Sequence, residues 1–204
     1  MSLFDQLKRQ FSQQAQMELR KAAQSATHSA ADAVRHATEK TWTVTFEQLP
    51  ATVEELKALP EADLSQPHYT AALTVAALCA AAEDREAGYA MLDYLRGPRP
   101  LSPADKQHIN DRFMDGRSYI PRSYFDGAVP DNDYTPTRPR MLRFTKSAAP
   151  VAEENYLRLM IHSGGADSPR SVTLRQKPST GQWFLWEQDL LAGIRQPKSS
   201  DPWA

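Results

Sequence analysis

The sequence predicts an α+β fold in which helices come first and a C-terminal antiparallel β-meander of about four strands follows. Helix-forming residues and helix start and stop signals dominate residues 1–116. Beyond residue 140, short apolar segments with period-two alternation are separated by turn residues. The most distinct of these segments is Gln182-Trp-Phe-Leu-Trp-Glu187. We expect a helical arm over 1–40 and one α+β domain over 41–204.

Residues 1–40 contain no Gly or Pro and predict one long helix. Its apolar stripe begins with Leu3, Phe4, Leu7 and Phe11 and then thins to alanines, which bury little surface. A peripheral helix or flexible arm is the plain interpretation. Self-association and attachment to a membrane surface through these four side chains are the alternatives. Two neighbouring basic residues are few for binding lipid, so a membrane is the weaker alternative.

Residues 41–116 are predicted to be mostly helical, after one short strand. In that strand Trp42, Val44 and Phe46 alternate with threonines. Helix starts are expected at a Thr52–Glu55 capping box, at Pro67, at Glu83-Asp84 and at Ser102-Pro103. Stops are expected before Pro60, at Gly97-Pro98 and at Gly116.

Residues 117–139 hold four prolines and no periodicity, which excludes a long helix. Four aromatic residues argue against disorder, and we predict a long ordered loop held by Tyr119, Tyr124, Phe125 and Tyr134. Loops of this length are uncommon unless they bind something or link parts of a protein.

Residues 140–204 are predicted to form the sheet and a polar tail, with strands near 141–145, 155–162, 172–174 and 182–187. In the last strand Trp183 and Leu185 share one face, and Phe184 and Trp186 share the other. Both faces are apolar, so this strand needs two covers. The helices are expected to supply one of them.

Composition narrows the range of functions. The net charge of −1 creates no global field that would draw the chain to nucleic acid, and no nucleic-acid partner is expected. Cys79 is the only cysteine and lies in an apolar segment, which predicts a buried, inert thiol. The longest apolar run is too short to span a bilayer and no signal-peptide core is evident, so a cytoplasmic location is expected.

No catalytic or metal-binding constellation stands out in the sequence. The five histidines do not pair with one another or with Cys79 at helical spacing, and no nucleophile or phosphate-loop motif occurs. We therefore predict no metal and no cofactor, and lean against an enzyme.

The stretch from about Thr52 to the C-terminus resembles a family of bacterial proteins, mainly clostridial, that share a domain of unknown function. The resemblance implies no activity, cofactor or catalytic residue. The segments that carry it are 84–88, 95–98, 101–103, 111–116, 121–125, 134–136, 163–170, 182–187 and 201–204.

Three functional hypotheses remain, of which one is the peripheral membrane attachment through residues 3–11 described above. The first is a non-enzymatic binding or protein-interaction domain, whose partner is an unidentified protein or a second copy, and whose surface is the loop with the 163–170 connector. The second is an enzyme or small-molecule-binding protein with a pocket between loop and sheet. The residues expected around that pocket are Tyr119, Arg122, Tyr124, Arg158, His162 and Arg170.

Overall fold

A computed structural model describes residues 41–149 and 151–201 of the chain. Five strands form one antiparallel sheet whose spatial order follows the chain. They are β1 (Thr41–Phe46), β2 (Arg140–Lys146), β3 (Tyr156–Ile161), β4 (Arg170–Gln176) and β5 (Trp183–Gln188).

The meander has five strands, so the expectation of about four was one strand short. The additional strand is β1, which was expected as an isolated strand at the domain boundary. It pairs with β2 so that Val44 lies opposite Leu142 and Phe46 opposite Arg140. The apolar alternation of β1 is a local signal, whereas its pairing partner lies far along the chain and leaves no local trace.

The helices form one insertion between β1 and β2. They are α1 (Val53–Lys57), α2 (Pro67–Glu83), α3 (Arg85–Arg96) and α4 (Pro103–Phe113). The expected starts are confirmed at all four, with one correction at α1. Thr52 Oγ1 accepts from the N–H of Glu55 at 3.2 Å, but the Glu55 carboxylate accepts from the N–H of Ala51, not from that of Thr52.

The core lies between α2 and one face of the sheet. Eleven of the 17 residues of α2 are buried, on all sides of the helix, which makes it the central element. The sheet contributes alternate residues from all five strands, as period-two patterning requires. These inward side chains are Val44, Phe46, Leu142, Phe144, Leu159, Ile161, Val172, Leu174 and Leu185.

The segment 117–139 is a loop with three short 3₁₀ turns. The Tyr119 and Tyr134 rings stack at 5.2 Å, and both are buried. Tyr124 donates from its hydroxyl to the carbonyl of Leu190 at 2.6 Å, and Tyr134 donates to that of Arg195 at 2.6 Å. These contacts tie the loop to the segment that follows β5.

The connector 163–170 packs directly under this loop. Ser163 donates from its hydroxyl to that of Ser123 at 2.7 Å, and the N–H of Gly164 donates to the Ser123 carbonyl at 2.9 Å. A Cβ at Gly164 would overlap the carbonyl oxygen of Ala128, so only glycine permits this approach. The junction between loop and connector is therefore filled.

Strand β5 is an edge of the sheet, and the helical part of the domain caps its outer backbone. The N–H of Trp183 donates to Leu64 O at 2.9 Å, and the Thr70 hydroxyl donates to Trp183 O at 2.7 Å. Arg99 donates to the carbonyl of Trp186. These bonds use polar groups that an open edge would offer to another chain.

The second cover of β5 comes from the segment after α3 and from neighbouring strands. Gly97 lies against the Phe184 ring, because a Cβ there would be 2.6 Å from two of its carbons. Arg99 stacks on Trp186, and Tyr156 of β3 meets the same indole edge-on at 5.3 Å. The second face of the aromatic strand is thus covered in part, and Phe184 and Trp186 stay partly exposed.

The predicted helix over 1–40, with Leu3, Phe4, Leu7 and Phe11, lies outside the described residues. No helix within the described part of the chain is both long and apolar enough to cross a membrane.

Candidate functional site

A pocket of about 420 Å³ opens between the long loop and the C-terminal end of α2. Its walls come from the 49–51 segment after β1, from Cys79 to Asp84, from the loop, and from Arg140 at the start of β2. The predicted pocket lay between loop and sheet. The structure places this one between loop and helix, because the connector already fills the other junction.

Pairing of β1 with β2 builds one wall. Phe46 lies opposite Arg140, so the 49–51 segment leaves β1 beside the start of β2. Arg140 also donates to the carbonyl of Glu47 at 3.4 Å. The wall thus joins two segments that are distant in sequence.

The loop wall is held by its own anchors. Phe125 and Tyr134 line the pocket and are almost fully buried, so this wall has little freedom to move. The N–H of Asp126 donates to Met141 O at 3.0 Å, and the Asp126 carboxylate pairs with Arg143 at 2.6 Å. These bonds fasten the loop to β2 next to the pocket.

Three guanidinium groups belong to the lining: those of Arg122, Arg138 and Arg140. The side chains of Arg122 and Arg138 are exposed, and neither forms a hydrogen bond or ion pair with any residue between 41 and 201 that the structure describes. Within the described part of the chain, the Arg140 side chain makes only the long bond to Glu47. The guanidinium N–H groups of this pocket are therefore largely left without acceptors by the folded domain.

Two carboxylates lie on the helical side. Asp84 accepts from the N–H groups of Glu86 and Ala87 at 3.0 and 3.2 Å and so caps α3. Glu83 is exposed at the end of α2. With three arginines against two carboxylates in the lining, the formal charge of the pocket is +1.

Cys79 lines the same pocket and is half-buried, not fully buried as its sequence context predicted. It lies in the last turns of α2, where the helix emerges from the core into the pocket. Burial raises the pKa of its thiol to about 12, against the smaller lowering effects of Arg122 and Arg140. The thiol is protonated at neutral pH. Since the thiolate is the reactive form, we expect Cys79 to be unreactive, as its sequence context predicted.

The residues predicted around a loop–sheet pocket do not form one site, although Tyr119 and Arg122 line a further pocket together. Of the six, only Arg122 lines the loop–helix pocket. Tyr119 and Tyr124 are buried anchors of the loop. The others lie on or beside the sheet.

Those others have separate positions. Arg158 donates to the Thr173 hydroxyl at 3.4 Å, and His162 is exposed just after β3. Arg170 donates to the carbonyls of Ala192 and Gly193 at 2.8 and 2.9 Å, which ties β4 to the segment after β5. The structure does not bring these side chains together.

Sequence reasoning missed Arg138, Arg140 and Glu83 as pocket residues. A signal for them existed in the charge distribution. Residues 41–95 carry nine acidic and two basic side chains, whereas 96–143 carry nine basic and six acidic ones. The two segments do meet at this pocket, but the pattern does not show which charges remain unpaired.

A grouping of three or more His, Cys, Asp or Glu side chains suited to a metal ion does not occur within residues 41–149 and 151–201.

Comparison with known proteins places the chain in a family. No curated protein and no solved structure matched it. A family model did match over residues 48–198, which include every wall of the pocket, the sheet from β2 to β5 and the four helices. That model describes DUF6935, a domain of unknown function, and the chain belongs to this family.

Proposed function

We propose that the domain is a non-enzymatic binding module whose loop–helix pocket holds a small organic anion with an apolar portion. The observation that carries the proposal is a pair of exposed guanidinium groups, Arg122 and Arg138, without partners among the described residues. They stand in the wall of a pocket that is otherwise largely apolar.

Guanidinium groups favour carboxylate and phosphate partners, because their N–H donors match two oxygens at once. Arg140 adds a third positive charge to the same lining. The charges of Arg122 and Arg140 both lower the pKa of the Cys79 thiol and outweigh that of Glu83, which raises it; this supports a net positive field at that sulfur. An anionic group is the ligand chemistry that such a field favours.

The remaining lining favours an apolar portion in the ligand. Leu49, Pro50 and Pro136 join the rings of Phe125 and Tyr134 around the pocket. The volume of about 420 Å³ lies within the range of roughly 300–1,000 Å³ that small-molecule sites occupy. Rigid apolar walls with a few polar groups are typical of such sites.

Binding without catalysis is the simpler use of this chemistry. The thiol of Cys79 is protonated at neutral pH, so the pocket supports no thiolate nucleophile. Glu83 and Asp84 stand at the end of one helix and the cap of the next. The proposed ligand is held by charge and by apolar contact.

A ligand screen on the full-length protein tests the proposal. Ligand-observed NMR with a panel of aryl and alkyl carboxylates and phosphates should detect binders. Arg138→Gln should weaken them about tenfold, because one charge-assisted hydrogen bond is lost. Arg112→Gln on α4, outside the pocket, is the matched control and should leave binding unchanged.

The proposal fails if no member of the panel binds, or if the two variants weaken binding equally. Failure would return the first hypothesis, a protein-interaction surface on the loop and the 163–170 connector, to first place. The exposed Val129 lies on that surface, beside Gly164.

Other expectations stay predictions. They are the bacterial, mainly clostridial origin, the cytoplasmic location, and the roles of Leu3, Phe4, Leu7 and Phe11 in self-association or membrane attachment. Binding roles for Arg158, His162 and Arg170 also stay predictions, although their positions do not form one site.

A further inference from the structure

A second pocket, of about 260 Å³, lies beside Trp186 on β5. The turn between β4 and β5 forms one side, and the segment that follows α3 forms the other. Four of its lining side chains are cationic, and none is acidic: Arg96, Arg99, Arg175 and Lys177. We refer to it as the Trp186 groove.

Three of these four cations form no close ion pair within the described residues, although the charge of Arg99 also acts on Asp105. Arg96 is mostly buried and pairs with Asp105 at 3.4 Å. Arg99, Arg175 and Lys177 form no ion pair with any residue that the structure describes. The adjacent groove shares Arg96, Arg99 and Trp186, and the carboxylates near these side chains lie there: Asp105, Glu187 and Asp189.

Aromatic rings fix the two guanidinium groups in place. Arg99 Cζ lies 3.9 Å from the centroid of the Trp186 ring, and Arg175 Cζ lies 5.1 Å from it. Arg175 also lies 5.3 Å from the Tyr156 ring. Both positive charges are therefore held around one indole, in the lining of the same groove.

Stacking engages the face of a guanidinium group and leaves N–H donors at its edge. Arg99 donates one of its N–H groups to the Trp186 carbonyl. Its Nε is buried and has no acceptor among the described residues. Arg175 makes no hydrogen bond from its side chain within that part of the chain. The fold thus positions donors that it does not itself satisfy.

We propose that the Trp186 groove binds a small phosphorylated molecule that carries at least two negative charges. A dianion balances the charges of Arg99 and Arg175 and accepts from the N–H donors of both. Lys177 at the β4–β5 turn adds a mobile third charge at the rim. This site is separate from the loop–helix pocket and does not depend on the function proposed there.

Pyrophosphate is the first probe. Isothermal titration of the full-length protein should show saturable binding of pyrophosphate, with weaker binding of inorganic phosphate. The fluorescence of Trp186 should change with the same midpoint, and this change should disappear in Trp186→Phe. Citrate tests carboxylate chemistry at similar charge, and we expect it to bind more weakly than pyrophosphate.

Two variants locate the site. Arg175→Gln and Lys177→Gln should each weaken pyrophosphate binding about tenfold, through loss of a charge-assisted contact. Lys177 is exposed and packs on no ring, so its variant retains the fold even if Arg175→Gln loosens the stack. Lys146→Gln on β2 is the control for net charge, and Arg138→Gln is the control for the loop–helix pocket.

The proposal is overturned if pyrophosphate shows no saturable binding to the full-length protein. It is also overturned if Lys146→Gln or Arg138→Gln weakens binding as much as Lys177→Gln does. Citrate binding as tight as pyrophosphate would exclude the phosphate specificity. Loss of organic-anion binding in Arg138→Gln, with pyrophosphate binding retained, would separate the two pockets directly.

Discussion

Cys79 shows at the scale of single residues how position sets reactivity. The thiol is half-buried in a pocket with a positive lining, and positive charges usually favour a thiolate. Desolvation outweighs them here and raises the pKa of the thiol to about 12. The charges of Arg122 and Arg140 lower the pKa by less than desolvation raises it.

Alkylation of Cys79 should therefore be slow in the folded protein at neutral pH. With an unperturbed thiol near pKa 8.5, the thiolate fraction at pH 7.5 falls by about three orders of magnitude when the pKa reaches about 12. Iodoacetamide labelling followed by mass spectrometry measures the rate, and urea-unfolded protein should react rapidly.

Arg122→Gln tests how far the arginine charges affect the pKa of the Cys79 thiol. Removal of that charge should raise the pKa further and slow labelling, because the Arg122 charge lowers the pKa in the native protein. Labelling of folded protein as fast as unfolded protein at pH 7.5 would contradict the expected desolvation.

The junction of α2 and α3 shows how two elements constrain one position. Asp84 ends α2 and caps α3, so the two helices meet at one residue. Gly88 of α3 then packs on Ala81 of α2, and a Cβ at Gly88 would overlap the backbone of Ala81. Close approach at this glycine sets the angle between the helices.

Gly88→Ala should destabilise the domain by about 1–3 kcal/mol through overpacking. Helix propensity alone would favour alanine by roughly 1 kcal/mol, so the two effects have opposite signs. Chemical denaturation measures the change. Ala90→Gly, at an exposed position of the same helix, is the control and should cost about 1 kcal/mol from propensity alone.

A higher stability of Gly88→Ala would mean that α2 and α3 can move apart without loss of stability. It would contradict the inference that close packing at Gly88 constrains the two helices. A neutral outcome at Ala90→Gly would show that propensity has no influence on this helix.

At the scale of the whole molecule, buried tyrosine hydroxyls make stability depend on alkaline pH. Burial raises the pKa of Tyr124 well above its usual value and that of Tyr134 to about 12. Their neutral hydroxyls donate to Leu190 and Arg195 and join the loop to the segment after β5. The ionised forms cannot donate, so ionisation opposes the folded state.

The free energy of unfolding should therefore fall as pH rises above about 10. Because the pKa of each hydroxyl is higher in the folded than in the unfolded state, the hydroxyl contributes fully to the free energy of unfolding below the unfolded-state pKa of about 10. This contribution is lost as the pH rises further, through the folded-state pKa. Urea denaturation at pH 8 to 11 measures this decline. Tyr124→Phe should lower stability at pH 8 and make the decline shallower, whereas Tyr69→Phe, at a half-buried ring of α2, is the control. An unchanged slope in Tyr124→Phe would contradict the role of this hydroxyl.

Local signals predicted much of this architecture. Thr52, Pro67, Asp84 and Ser102 begin helices in the structure, because caps and first-turn prolines act within a few residues of themselves. Period-two alternation located β2 to β5 for the same reason. The pairing of β1 with β2 could not be predicted in this way, because register depends on a distant segment.

The candidate sites were harder to predict than the fold. Arg122 was identified from its loop, but its neighbours Arg138 and Arg140 belong to the far end of the same loop and the start of β2. The Trp186 groove combines the segment after α3 with two strands. Whether an arginine is paired depends on the packing of all these parts, which residue spacing does not reveal.

The position of β1 also has a consequence for the order of events during protein synthesis. Glu47 and Arg140, which share a hydrogen bond, are 93 positions apart. At a translation rate of about 5–20 residues per second, the β1 segment leaves the ribosome roughly 5–20 s before β2 exists. A newly made strand with an apolar face is prone to aggregate until its partner arrives. We expect chains truncated before Arg140 to need a chaperone to remain soluble.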